Sequence, residues 1–159
     1  MADQNRAAVR TSDALWEKCV AVDETAVFRF CRAALRHMTR QGWGSIVNVS
    51  SIGGVYSIAG AAYSSAKAAV LGLTKNIGVQ YAGTKIRCNA VCPGPTQTPM
   101  LTEASDMDRE MLEITGRRVD KTTGMSTPRE IANAILFFAS DESASINGQS
   151  LVVDKGSCI

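Results

Sequence analysis

Histidine is nearly absent from this sequence of 159 residues, C-x-x-C pairs are missing, and neither sign of charge predominates. His37 stands alone, and Cys19, Cys31, Cys88, Cys92 and Cys158 include no C-x-x-C pair. Structural zinc needs several such ligands at defined spacing, so a zinc site is disfavoured. An odd cysteine count with four thiols inside apolar segments fits small core residues in a reducing compartment. Seventeen Lys and Arg against fifteen Asp and Glu leave a net charge of +2 without a basic stripe, which argues against a nucleic-acid partner. No apolar run approaches the roughly 18 residues of a membrane span. The opening MADQNRAAVR also lacks the apolar centre of a secretory signal. The expectation is a cytoplasmic protein with no membrane segment.

Hydrophobic residues make up 45% of the chain and charged residues 20%, the composition of a globular domain. A chain of this length buries roughly two-thirds of its unfolded surface, so a single domain over residues 1–159 needs no disulfide or metal. Apolar residues recur every three or four positions from Asp13 to Met38, which predicts a helix capped by Ser12 or Asp13. The short β-branched run Ser45–Val49 predicts a strand covered on both faces, central in its sheet. Residues 60–82 predict a long Ala-rich helix ending at Gly83. Lys85–Val91 predicts a second strand, stopped by Pro93, Gly94 and Pro95. Polar residues 96–126 read as a mobile excursion with helix near Met107–Ile114. Thr127, Pro128 and Glu130 form a capping box that opens a helix to about Ser140. Residues 149–154 predict a last strand. Strands alternating with helices imply an α/β fold with a parallel sheet, whose ligands gather at the carboxyl ends of the strands.

The chemistry concentrates around Ser51 and the run Tyr63-Ser64-Ser65-Ala66-Lys67. Tyr63 and Lys67 are one helical turn apart and leave the same face. An ammonium beside a phenol favours the phenolate and lowers its pKa from about 10. Ser51, at the end of the preceding strand, can donate to a substrate oxygen. A Tyr and a Lys four apart also occur by chance as a surface pair, the lysine stem packed on the ring.

The company these residues keep resembles one family. The strand ending Asn48-Val49-Ser50-Ser51, the Tyr63 to Lys67 run, Ile86 to Val91 followed by Pro93, Gly94 and Thr98, and Asn147-Gly148-Gln149 with Val152-Val153-Asp154 together resemble the short-chain dehydrogenase/reductases. The resemblance implies a Rossmann-like, doubly wound parallel sheet in three layers, here truncated to three strands with flanking helices. It implies interconversion of an alcohol with a ketone or aldehyde, using NAD or NADP, on a small-molecule substrate. By position, Tyr63 resembles the acid/base, Ser51 the group that polarises the substrate oxygen, and Lys67 the residue that tunes the tyrosine and binds the nicotinamide ribose. Pro93, Gly94, Thr96 and Thr98 resemble the loop that contacts the nicotinamide, and residues 96–126 the substrate-covering region. Trp16 matches a common aromatic of the family, although plain core packing explains it better.

Three departures accompany the resemblance. The chain contains no G-x-x-x-G-x-G turn, so the adenosine and pyrophosphate sites of the family have no counterpart in it, and the expectation is a carboxyl-terminal two-thirds. Asp23 stands where the family usually has an asparagine that holds a relay water, and it brings a negative charge toward Lys67. Lys155 follows Asp154 where glycine is common, in a turn that needs a positive φ. Small residues along the second helix, among them Ala61, Ala68 and Gly72, suit close helix approach, so a homo-oligomer (dimer or tetramer) is expected. A non-catalytic remnant that keeps only the oligomerisation surface is the alternative to an enzyme.

Overall fold

Local signals start each element of the computed structural model, which describes residues 3–102 and 106–158. Ser12 accepts the backbone N–H of Leu15 at 3.3 Å and caps α1, Asp13–Val20. A wider π-helical turn over Ala21–Thr25 carries the chain into α2, Ala26–Gln41, which ends at Gly42 with φ of +84°. Glycine takes that left-handed conformation without a Cβ penalty. Then follow β1 (Trp43–Val49), the short α3 (Ile52–Tyr56), α4 (Ala61–Gln80) and β2 (Lys85–Pro93). Two short helices, α5 (Pro99–Thr102) and α6 (Arg109–Gly116), precede α7 (Pro128–Ala139) and β3 (Ser150–Val153).

The three strands run parallel in the order β1-β2-β3, with Ile46 opposite Cys88 and Val91 opposite Leu151. One face packs on α2 and α4 through Cys31, Ile46, Ile77 and Cys88. The other packs on α7 through Val91, Ile131 and Phe138. This is the expected α/β arrangement of a parallel sheet between helical layers. Burial pushes the Cys88 thiol up to about 12, so it behaves as a core residue rather than a nucleophile.

Among the described strands β1 pairs only with β2, and its ends Trp43 and Val49 are exposed, whereas every residue of β2 from Ile86 to Cys92 is buried. One expectation needs correction. Trp16 is 43% exposed and not a core side chain, because α1 buries only Cys19, one turn further on. The capping box at Thr127 forms as expected: its N–H donates to Glu130 Oε2 at 2.6 Å, and its hydroxyl accepts the N–H of Glu130 at 3.3 Å. Lys155 does take a positive φ, +57°.

The excursion after β2 is tied at its base, where Ser126 N–H donates to the Pro95 carbonyl at 2.8 Å and Gln97 N–H to the Ser126 carbonyl at 2.9 Å. The amino-terminal segment clasps its helix. Arg10 donates to Asp108 Oδ2 at 2.7 Å and Oδ1 at 3.0 Å, Ala7 N–H donates to Oδ2 at 3.2 Å, and Asp108 N–H donates to the Gln4 carbonyl at 3.0 Å. The Arg10 guanidinium, helped by the N–H groups of Ala7 and Met111, holds the Asp108 carboxyl down at about 2. A carboxyl depressed on folding contributes stability above its unfolded value, about 4, and that contribution is lost as pH falls from there toward about 2. The Asp108→Asn variant should therefore lose less stability than the parent over this pH window in thermal unfolding. Equal losses in both would show that the clasp contributes nothing.

Candidate active site

The site is built where β1 gives way to α4. Ser50 Oγ donates to the Lys67 carbonyl at 2.8 Å, which joins the end of the strand to the middle of α4. Ser51 caps α3, its hydroxyl accepting the N–H of Gly53 at 3.0 Å. α3 lies so close to α4 that a Cβ on Gly54 would come within 2.6 Å of the Lys67 carbonyl carbon. Only glycine admits that approach. The Ser51 hydroxyl thereby comes near enough to the Tyr63 phenol to favour its ionised form.

Tyr63 and Lys67 share a face of α4, and the Lys67 ammonium sits over the phenol ring, 5.6 Å from its centroid. It donates to the Val49 carbonyl at 3.2 Å and lies 3.5 Å from Asp23 Oδ1. Asp23 is buried, and the π-helical turn between α1 and α2 carries it. Wider turns of this kind often mark functional positions. The sequence suggests a phenol tuned downward by lysine, and other surroundings of Tyr63 act on it as well. Burial pushes the Tyr63 hydroxyl above its ordinary value, the Ser51 hydroxyl pulls it part of the way back, and the Asp23 and Asp3 carboxylates push it further up. The ammonium stands over the ring face and is also engaged by Asp23.

Every site residue proposed from the sequence meets at one cavity of about 620 Å³: Ser51, Tyr63, Lys67 and Asp23, with Pro93, Gly94, Thr96 and Thr98. The threonine hydroxyls face their own loop, Thr96 Oγ1 donating to the Gly94 carbonyl at 2.9 Å and Thr98 Oγ1 to the Thr96 carbonyl at 3.4 Å. Gly94 N–H donates to the Val153 carbonyl at 3.0 Å and anchors the loop to the end of β3.

Sequence reasoning missed Asp3. Its side chain is 1% exposed, borders the cavity and accepts the N–H groups of Asn5 at 3.1 Å and of Tyr63 at 3.0 Å. Gly60, at the start of α4, offers no side-chain cap, and a Cβ there would collide with the Asp3 carboxylate. Asp3 thus supplies the anion that the amino terminus of α4 favours. It lies 60 positions before Tyr63, with no local motif to signal the contact.

The sequence profile described as enoyl-(acyl carrier protein) reductase matches residues 1–157. The chain belongs to the short-chain dehydrogenase/reductase family. This short-chain dehydrogenase/reductase is 41% identical over 140 residues to 2-(R)-hydroxypropyl-CoM dehydrogenase of Xanthobacter autotrophicus, covering 87% of this chain and 55% of that one. It is 40% identical over 147 residues to 3beta-hydroxysteroid dehydrogenase 2 of Eggerthella lenta, covering 91% and 56%. A solved 4-hydroxyisoleucine dehydrogenase mutant, complexed with NADH and succinate, superposes with a TM-score of 0.82 at 25% identity, covering 96% of this chain and 63% of that one. The chain therefore spans little more than half the length of these curated relatives.

Two outcomes are expected from this geometry. Asp3→Ala strips the acceptor from two buried N–H groups and should lower stability by about 1–2 kcal/mol in denaturant unfolding. A loss near zero would show that the contact is not formed in solution. Asp23→Asn removes a negative charge beside the phenol and should lower the Tyr63 titration midpoint. Spectra of tyrosine labelled with ¹³C at Cζ follow that midpoint, with Tyr56 and Tyr81 as references. An unchanged or higher midpoint would contradict the assigned cause.

Proposed function

We propose that the protein carrying this chain is an oxidoreductase that uses NAD or NADP to interconvert an alcohol with a ketone or aldehyde. The observation that supports this most directly is that Ser51, Tyr63 and Lys67 border one ligand-sized cavity. Two groups able to donate to one oxygen, with a cation one helical turn away, suit proton transfer to a carbonyl.

In this reading Ser51 and Tyr63 both donate to the substrate carbonyl oxygen. On reduction the Tyr63 proton moves to that oxygen while a hydride adds to the carbonyl carbon, so the C=O π bond is replaced by one C–H and one O–H bond. Oxidation runs the same exchange backwards. The nicotinamide supplies or takes up the hydride when bound. Lys67 attracts the phenolate that remains and would hold the ribose hydroxyls. Pro93, Gly94, Thr96 and Thr98 border the same cavity and would flank the nicotinamide. These residues fit the nicotinamide-ribose end of the cofactor, and none in the chain is assigned to its pyrophosphate. Residues 96–126 would cover the substrate, as one part of a single domain over residues 1–159. The reading includes a cytoplasmic homo-oligomer. Ala68 and Gly72 lie exposed on α4, while Ala62, Ala66 and Gly78 are spent on packing within the chain. No helix of the described residues is long and apolar enough to cross a membrane. The non-catalytic alternative has no observation in its favour.

The test has two readouts. The parent chain should bind reduced nicotinamide mononucleotide in calorimetry, and Lys67→Ala should weaken that binding. Tyr63→Phe should leave the binding intact and lower NADH- or NADPH-dependent reduction of a ketone by a hundredfold or more, at about the scale of general acid catalysis. Full activity in Tyr63→Phe, or no binding of the mononucleotide, would overturn the proposal.

A further inference from the structure

A second hollow lies apart from the candidate active site and shares no lining residue with it. It is a groove of about 620 Å³ between α2 and α4. Leu35, Leu73 and Ile77 form its apolar floor over the core, and the exposed side chains of Arg32, Arg36 and Arg40 stand along its α2 side. Spaced four apart, the arginines make one row, with about 6 Å of helix between neighbours. The small net charge of the chain conceals this row. Helix α2 carries four arginines and no acid, and seventeen basic side chains less these four leave 13 against 15 acidic in the rest of the chain.

Two of the three arginines are held in place. The Arg32 guanidinium lies 5.1 Å from the centroid of the Phe28 ring, and Arg40 donates to His37 Nδ1 at 2.9 Å. Neither contact neutralises the charge. No ion pair among the described residues includes any of the three, and no described residue that lines the groove is acidic. Apolar surface beside unpaired cations calls for an occupant that is both apolar and anionic.

A second copy of the chain does not meet that requirement. Neither α2 nor α4 contains Asp or Glu, so two copies set groove to groove would bring one arginine row against the other. The exposed Ala68 and Gly72 of α4 precede the groove and lie outside it. A nucleic-acid backbone would pair with the arginines but leave the leucines uncovered. An acidic helix satisfies both. Carboxylates at i, i+4 and i+8 repeat at the spacing of the arginines, and the apolar stripe of such a helix covers the floor, as amphipathic helices do in grooves.

We propose that the groove between α2 and α4 docks an acidic amphipathic helix of a different protein. Arg32, Arg36 and Arg40 pair with its carboxylates, and Leu35, Leu73 and Ile77 receive its apolar side chains. Three monomeric stapled peptides test this, alike in an apolar stripe of leucine and alanine and carrying glutamate, glutamine or lysine beside that stripe. Tyrosine labelled with ¹³C at Cζ reports binding, since Tyr81 lines the groove, Tyr63 borders the other cavity and Tyr56 lies on α3. The glutamate peptide should shift the Tyr81 signal, leave Tyr56 and Tyr63 in place, and bind the parent about tenfold or more tighter than either other peptide. Arg36→Gln should weaken the glutamate peptide about threefold or more and leave the glutamine peptide unchanged. In the double variant Arg32→Glu with Arg36→Glu, the preference should pass to the lysine peptide. Equal binding of the glutamate and glutamine peptides by the parent, an unmoved Tyr81, or the parent's preference retained in Arg36→Gln or in the folded double variant would overturn the proposal. So would a single-stranded oligonucleotide that matches the glutamate peptide at Tyr81, which would assign the row to nucleic acid. A parent oligomer that Arg36→Gln dissociates would assign the groove to a second copy and overturn it equally.

Discussion

The close contact of α3 with α4 at Gly54 underlies everything the site can do. Without a Cβ at residue 54, the short helix that Ser51 caps can rest on the Lys67 backbone. That contact brings a serine at the end of β1 to the same cavity as a tyrosine one helix away. The Ser50 bond to the Lys67 carbonyl reinforces the same junction from the strand side. Two contacts with the backbone of one residue therefore set the relative position of three side chains. Strand-end and helix positions of this kind are more rigid than loops, which suits groups that must be held to a fraction of an ångström.

The electrostatics of the site run against the simplest picture of an activated tyrosine. A lysine one turn from a phenol looks sufficient to lower its pKa, yet burial and two nearby carboxylates outweigh it. The π-helical turn brings Asp23 to Lys67, and the packed amino-terminal segment brings Asp3 to the Tyr63 backbone.

The amino-terminal segment has a larger part than its composition suggests. Asp3 caps α4, the Arg6 carbonyl accepts the N–H of Ala61 at 2.9 Å, and Arg10 grips Asp108 ahead of α6. One short stretch thus links the helix that carries Tyr63 to the apolar excursion that walls the cavity. Polar contacts at this wall and apolar side chains inside it divide the work. The former fix the shape, and the latter leave a surface for a ligand to cover.

Much of this was readable before any coordinates. The pairing of Tyr63 with Lys67 follows from helical periodicity, the start of α7 from the Thr127 and Glu130 box, and the parallel α/β layering from strands that alternate with helices. The positive φ at Lys155 was legible because the residues around it resemble a glycine turn. These are local properties, set by spacings of three or four residues or by backbone preference. The exposure of Trp16, the insertion of Asp23 by a π-helical turn and the reach of Asp3 to residue 63 were not legible. Each depends on which surfaces meet after the chain has folded. Burial and Coulomb interactions act through space, so tertiary packing alone decided the charge around the phenol and the character of the cavity beside it.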